Sequence, residues 1–358
     1  MKIVFSGGGT LGPVVPLLAV AEAYRRKFQT AKLLWVGTKN GPERTLIEKA
    51  GLPFYALAAG KWRRYFSFWN FFDFLKIILA FFWSFGFLLK HRPALLISAG
   101  GFVSVPLHWA GWLLGVPAWV HQEDVKPGLA NRLMAKTASH ITVSVEDSAK
   151  FFPAAKTEWL GNPARQLARP TTAEARARFG IPAEATVIFA MGGGTGSARV
   201  NQLVAEALSY WPEEWHVIHL VGLERQSEAN ERAAELFKNY HVYKFFSEEM
   251  ADAYAAADVV VARAGFSTLT ELAALGKAAV ILPISGSQQE ENANWLAEKS
   301  AVVALNEAVT TGLELAQVVK DLIAEPEKRR AMGEKAGAVL PAAREERLIE
   351  IIEATRKK

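Results

Sequence analysis

The sequence contains no cysteine in 358 residues. Disulfides, thiolate metal ligands and a cysteine nucleophile are excluded together, which agrees with a reducing compartment. The Gly-x4-Gly-Lys-Ser/Thr phosphate loop is also absent, and the serines that follow glycine turns have no partnered base nearby in the sequence, so neither a P-loop NTPase nor a serine hydrolase is indicated. No stretch reaches the ~20 apolar residues of a membrane span. The start reads Met1-Lys-Ile-Val-Phe-Ser-Gly7, a strand entering a glycine turn in place of a basic n-region and apolar h-region, and a cytoplasmic location is expected. Acidic residues are scarce in one half only. Residues 1–163 hold 19 Lys and Arg against 9 Asp and Glu, while the remainder holds 22 against 27. A basic half beside an acidic one implies that the first faces a polyanion.

The length exceeds a usual single core, so two domains are expected. Lys2 to Ser6 reads as a strand, Gly7 to Gly12 as a glycine turn and Pro16 to Lys27 as a helix. The plan restarts with the strand Thr186 to Met191, the turn Gly192 to Gly196 and the helix Ser197 to Leu208. Pro163, Pro170 and a capped helix near Thr172 mark the linker. Two α/β domains of similar plan would leave a cleft between their facing sheet ends. The expected bounds are 1–163, 164–341 and a C-terminal helix, 342–358, packing back across the domains. A glycine turn by itself serves tight packing as readily as phosphate binding. The first one departs from the dinucleotide fingerprint, because the second strand ends in Thr38-Lys39-Asn40 with no acid.

Trp62 to Leu89 is dense in large aromatics, interrupted by Asp73 and Lys76 and flanked by Lys61, Arg63, Arg64, Lys90 and Arg92. Such a block fits a segment lying in the interface of an anionic membrane. A buried helix accounts for part of it. Nucleic acid fits less well, since stacking platforms are interleaved with cations. The strand Val116 to His121 leads into His121-Gln-Glu-Asp124, and ligands bind beyond the carboxyl ends of parallel strands. His121, Glu123 and Asp124 are therefore the candidate acid/base groups. Their spacing matches no zinc site, and neither metal nor cofactor is assigned.

In the second half, His216 to Val221, His241 to Phe246, Val259 to Ala262 and Ala278 to Leu282 read as buried parallel strands. Arg263-Ala-Gly-Phe-Ser-Thr-Leu-Thr-Glu271 is a strand end running into a helix. Its backbone N–H groups would face an anion, and Glu271, one turn in, would accept from vicinal hydroxyls. Phosphates with a diol point to a nucleotide. Gln288, Gln289 and Asn292 follow the next strand, with amides suited to sugar hydroxyls.

These stretches together, with Gly8-Gly-Thr-Leu-Gly-Pro-Val-Val-Pro16, Gly100-Gly-Phe-Val-Ser104, Pro127-Gly-Leu-Ala-Asn131 and Gly161-Asn-Pro-Ala-Arg165, resemble the MurG family of glycosyltransferases almost end to end. The resemblance implies a GT-B fold, with two Rossmann-like doubly wound parallel-sheet domains. It also implies inverting transfer of N-acetylglucosamine from UDP to a lipid-linked muramoyl-peptide, at the cytoplasmic face of the membrane. Glu271 would hold the ribose and Phe246 would offer backbone to uracil. Arg165, Gly193, Gly194, Thr195, Ser267 and Thr268 would surround the diphosphate, with Asn201, Gly265 and Phe266 also on the donor side; Gln288, Gln289 and Asn292 would meet the sugar. Gly9, Thr10, Gly12, Gly101, Phe102, His121 and Asn131 would hold the acceptor pyrophosphate and muramoyl group. Two departures stand out. Leu11 and Pro13 replace a glycine and a histidine of the family's first turn, and Gly194-Thr195 replaces a common Ser-Gln. Proline takes no proton, so either the base lies at Asp124, Glu123 or His121 or the acceptor differs. A diacylglycerol-type glycolipid synthase, a sugar-nucleotide epimerase and a binding protein without catalysis remain alternatives.

Overall fold

The computed structural model describes residues 1–60, 69–164, 170–193, 196–223, 228–246 and 249–357. The chain divides into two compact units, Met1–Arg165 with Ala342–Lys358, and Gln166–Pro341.

The first unit is built on β1 (Lys2–Ser6), β2 (Lys32–Thr38), β3 (Phe54–Leu57), β4 (Leu95–Ser98), β5 (Ala118–Gln122), β6 (His140–Val143) and β7 (Thr157–Trp159). They form one parallel sheet in the order β3-β2-β1-β4-β5-β6-β7. Its helices are α1 (Val15–Lys27), α2 (Glu43–Lys49), α3 (Trp69–His91), α4 (Ser104–Leu113) and α5 (Leu129–Ala135). The apolar runs follow from burial on both sheet faces. Alternation then sorts them. Ile3, Phe5, Trp35, Ile97 and Trp119 face one core with Leu17 and Tyr24 of α1, while Val4, Val36 and Leu96 face another with Ala80, Leu88, Leu107 and Ala110 of α3 and α4.

The second unit repeats the plan with β8 (Val187–Met191), β9 (His216–Leu220), β10 (Tyr240–Tyr243), β11 (Val259–Ala262), β12 (Ala279–Ile281) and β13 (Val303–Ala304), in the order β10-β9-β8-β11-β12-β13. Its helices are α6 (Thr172–Arg178), α7 (Ala198–Leu208), α8 (Glu228–Leu236), α9 (Met250–Ala256), α10 (Phe266–Ala274), α11 (Gln288–Glu298), α12 (Gly312–Ala324) and α13 (Pro326–Val339). A capping box between Thr171 and Glu174 starts α6. The strand read as His241 to Phe246 is shorter and earlier, because after Tyr243 the chain turns so that Phe246 packs its ring on Phe179, Phe189 and Tyr243.

The C-terminal helix α14 (Glu345–Thr355) belongs to the first unit. Leu348, Ile349, Ile351 and Ile352 complete the core around α1. Tyr24 Oη donates to Glu353 at 2.7 Å and Arg26 pairs with Glu345 at 2.8 Å. In each sheet the order reverses once, between β1 and β4 and between β8 and β11. These are the topological switch points at which open α/β sheets take ligands.

Candidate functional site

At the first switch point the turns after β1 and β4 lie backbone on backbone. A Cβ on Gly101, whose φ is +91, would stand 2.9 Å from the Gly8 carbonyl oxygen, and one on Gly9, φ +85, would stand 2.9 Å from the Phe102 ring. Only glycine permits that approach. Trp35 Nε1 donates to Gly7 O at 3.0 Å and anchors the start of the first turn.

The end of β5 reaches the same place. His121 turns inward: Nδ1 bonds Thr142 Oγ1 at 2.8 Å, and Nε2 lies 3.0 Å from both Asn162 Oδ1 and Ser144 Oγ. Burial pushes its pKa down to about 4. Both ring nitrogens are engaged within the protein, and this geometry suits a structural histidine. Asn131 Nδ2 donates to Gln122 Oε1 at 2.7 Å and to the His121 carbonyl at 3.1 Å, joining α5 to the strand end. Glu123 is 5% exposed. Its Oε2 lies 3.7 Å, and Thr10 Oγ1 3.8 Å, from where a Cβ on Gly12 would stand. Thr10, Gly12 and Glu123 therefore converge, whereas Asp124, next in sequence, is only half-buried and its carbonyl accepts from Gln122 Nε2 at 2.6 Å.

At the second switch point, Gly265 N-caps α10 with no side-chain hydrogen bond to the cap. Phe266 is buried under the helix start, and Ser267 and Thr268 fill its first turn. Glu271 is buried one turn in, and Tyr254 Oη donates to its Oε2 at 3.0 Å. Gly193 has φ +85 and its carbonyl accepts from Gly196 N–H at 3.0 Å. Arg165, Gly194 and Thr195 lie outside the described residues. Arg263 reaches back to Ser197 and to the Leu282 carbonyl and pairs with Glu307. Glu307 Oε1 in turn accepts from Ser285 N–H at 2.9 Å. Gln289 Oε1 accepts from Ile284 N–H at 3.2 Å, Gln288 is exposed at the first residue of α11, and Asn292 is buried on the same helix. Asn201 sits deeper, donating to Val221 O at 2.9 Å and bonding His219 Nε2 at 3.1 Å beneath the glycine turn.

Sequence reasoning missed Glu43, Tyr254, Ser197 and Glu307. Glu43 had a readable signal, an acid five residues beyond the end of β2. It returns to Thr38, where the strand end itself offered none. Tyr254 and Glu307 had none, since their partners are far away in sequence.

The Glycosyltransferase family 28 N-terminal domain matches residues 3–143 and the Glycosyltransferase family 28 C-terminal domain matches residues 187–349. The chain belongs to glycosyltransferase family 28. A Treponema denticola protein named UDP-N-acetylglucosamine–N-acetylmuramyl-(pentapeptide) pyrophosphoryl-undecaprenol N-acetylglucosamine transferase is 35% identical over 346 residues, 89% of this chain and 88% of that one. A Bacillus cereus protein of the same name, numbered 2, is 34% identical over 79% of each chain. Among solved structures, this family 28 member is similar in fold to Acinetobacter baumannii MurG (TM-score 0.77, 24% identity, 99% of both chains). It is also similar to the Neisseria meningitidis UDP-GlcNAc 2-epimerase bound to UDP-GlcNAc (TM-score 0.68, 14% identity, 100% of both).

Proposed function

We propose that this family 28 protein transfers N-acetylglucosamine from UDP-N-acetylglucosamine to an undecaprenyl-pyrophosphoryl-muramoyl-pentapeptide, with inversion at the anomeric carbon. The observation that carries the donor assignment is buried Glu271, oriented by Tyr254 one turn from a helix start without a side-chain cap. A carboxylate there suits the ribose hydroxyls, and the helix N-terminus suits the diphosphate. The names of the relatives supply the sugar and the acceptor.

In the step, Glu123 takes the proton of the acceptor hydroxyl as its oxygen bonds the anomeric carbon, the anomeric bond to the diphosphate breaks, and UDP leaves. Charge on the departing diphosphate falls on the N-terminus of α10. Arg165, Gly194 and Thr195 join that role on the family resemblance, and no metal is assigned to the step. Glu123 takes the place that Pro13 cannot fill. Asn131 holds the β5 end in register, and His121 acts from beneath as part of the buried network.

The same reading places the protein on the cytoplasmic face of an anionic membrane. Leu75, Ile78, Leu79, Phe82 and Trp83 of α3 and Trp112 and Leu113 of α4 are exposed. Large exposed apolar side chains on two packed helices support a lipid-facing surface. Among the described residues, no helix is long and apolar enough to cross a membrane.

The deciding assay supplies radiolabelled UDP-N-acetylglucosamine with the lipid-linked muramoyl-pentapeptide, diacylglycerol, or no acceptor. Label moving to the muramoyl lipid is expected. Label on diacylglycerol alone would identify a glycolipid synthase, a new epimer without acceptor would identify an epimerase, and UDP binding without turnover a binding protein. Each of these would overturn the proposal.

A further inference from the structure

One run of side-chain bonds crosses the ligand-facing end of the second sheet. Ser197, after the glycine turn of β8, accepts from Arg263 at the end of β11. Arg263 Nη1 pairs with Glu307 Oε2, and Glu307 Oε1 accepts from the Ser285 N–H at 2.9 Å. Arg199 of α7 holds the backbone of the same residue, donating from Nε to the Glu307 carbonyl at 2.9 Å and from Nη2 to the Thr310 carbonyl at 2.6 Å. The side chains of Arg263 and Glu307 are only 10% and 14% exposed, so salt screens their attraction little.

The loop between β12 and α11 gives three successive N–H groups to side chains. Ile284 donates to Gln289 Oε1 at 3.2 Å, Ser285 to Glu307, and Gly286 to Glu290 Oε2 at 3.0 Å. Gln289 and Glu290 belong to α11 itself, so their bonds set the shape of the loop. Glu307 stands 22 residues beyond Ser285, so its bond sets where the loop and the start of α11 lie relative to β11. The uridine and diphosphate are assigned to α10, whereas Gln288, Gln289 and Asn292 of α11 are assigned to the sugar. We infer that Glu307 is a positioning residue for the sugar part of the donor: through Ser285 it seats the start of α11 against the end of β11. The inference rests on the transferase reading and deepens it, since sugar recognition then depends on a carboxylate outside both α10 and α11.

The test removes one N–H. Ser285 is second in a turn closed by the Ser287 N–H on the Ile284 carbonyl at 3.2 Å, with Gly286 third at φ +69. This is the type II pattern, in which proline is favoured at the second position. Ser285→Pro therefore keeps the turn and the Arg263–Glu307 pair but takes away the donor that Glu307 holds. In calorimetric titrations of the full-length protein, the Kd for UDP-N-acetylglucosamine is expected to rise about tenfold, the size of one hydrogen bond to a charged group, while that for UDP stays within about twofold. Hydrogen–deuterium exchange of the free variant is expected to quicken over residues 286–292 and stay unchanged over 266–274. Glu307→Gln weakens the same bond from its other end and is expected to give the same order, with UDP-N-acetylglucosamine held more weakly and UDP not. Equal losses for the two nucleotides would make Glu307 a support of the whole second unit and overturn the inference, as would an unchanged constant for UDP-N-acetylglucosamine. If Ser285→Pro does not fold, Glu307→Gln decides. If the wild-type protein binds neither nucleotide, the donor reading falls and this inference with it; if the wild type binds both and the variants match it, only the inference falls.

Discussion

Arg263 donates from Nε and Nη2 to Ser197 Oγ, at 3.1 and 2.7 Å. The same hydroxyl accepts from Val200 N–H at 3.3 Å and so N-caps α7. One oxygen therefore ties the glycine turn after β8 to the end of β11, the two sides of the second switch point. Ser197→Ala is expected to destabilise the second unit by about 1–2 kcal/mol through the lost cap and the arginine left short of an acceptor. Urea unfolding measures the first effect. A raised KM for UDP-N-acetylglucosamine measures the second, and an unchanged KM would show that the tie does not shape the donor loop.

The Tyr254–Glu271 bond separates orientation from recognition. Glu271→Ala is expected to weaken UDP binding by about 10- to 100-fold, the loss of a bidentate charged acceptor, whereas Tyr254→Phe costs about threefold because the carboxylate remains but is less fixed. Calorimetric titration with UDP orders the two. Equal losses would contradict the ribose assignment.

Glu123→Gln is expected to lower kcat by about 100-fold or more with the donor KM little changed, the signature of a lost general base. Asp124→Ala is expected to cost far less, since that residue is less enclosed than Glu123. Single-turnover assays compare them, and the reverse ranking would move the base to Asp124.

Burial lowers His121 from its ordinary 6.5 to about 4. Above the ordinary value it is neutral both folded and unfolded. Between the two values the unfolded chain takes up a proton that the folded one does not, so stability falls as pH drops through that window, by roughly 3 kcal/mol for a shift of this size. His108 and His219, each lowered to about 3 by burial, act in the same direction. Urea midpoints at pH 7.5 and 4.5 are expected to differ accordingly. His121→Gln is expected to be less stable at pH 7.5 but to decline less toward pH 4.5, and a parallel decline would remove His121 from the account.

Leu79→Ser with Phe82→Ser is expected to reduce sedimentation with anionic phospholipid vesicles at least about tenfold, since two large apolar side chains leave the membrane. The UDP affinity stays unchanged because the pair is in the other unit. Wild-type levels of vesicle binding in the double variant would place the lipid contact elsewhere.

The sequence by itself determined the α/β class, the repeat of a strand, glycine turn and helix in each half, and the stretches that meet at the switch points. Those features rest on periodicity and backbone permissiveness, which are local. It also singled out Glu271, whose place one turn into a helix is legible in the local pattern. Tertiary structure alone sorted His121, Glu123 and Asp124, three neighbours that the sequence treats alike. A strand end sends successive side chains in different directions, so one ring enters the Thr142–Ser144–Asn162 network while one carboxylate meets the Gly12 turn. The partners of Arg263 and Tyr254, and the Gly9 N–H that Glu43 accepts, were likewise invisible in the sequence, because each of these bonds joins residues brought together by the fold and not by short spacing along the chain. The same cause placed α14 on α1: an amphipathic helix is readable from its pattern, but the surface that covers it is decided by the core it completes.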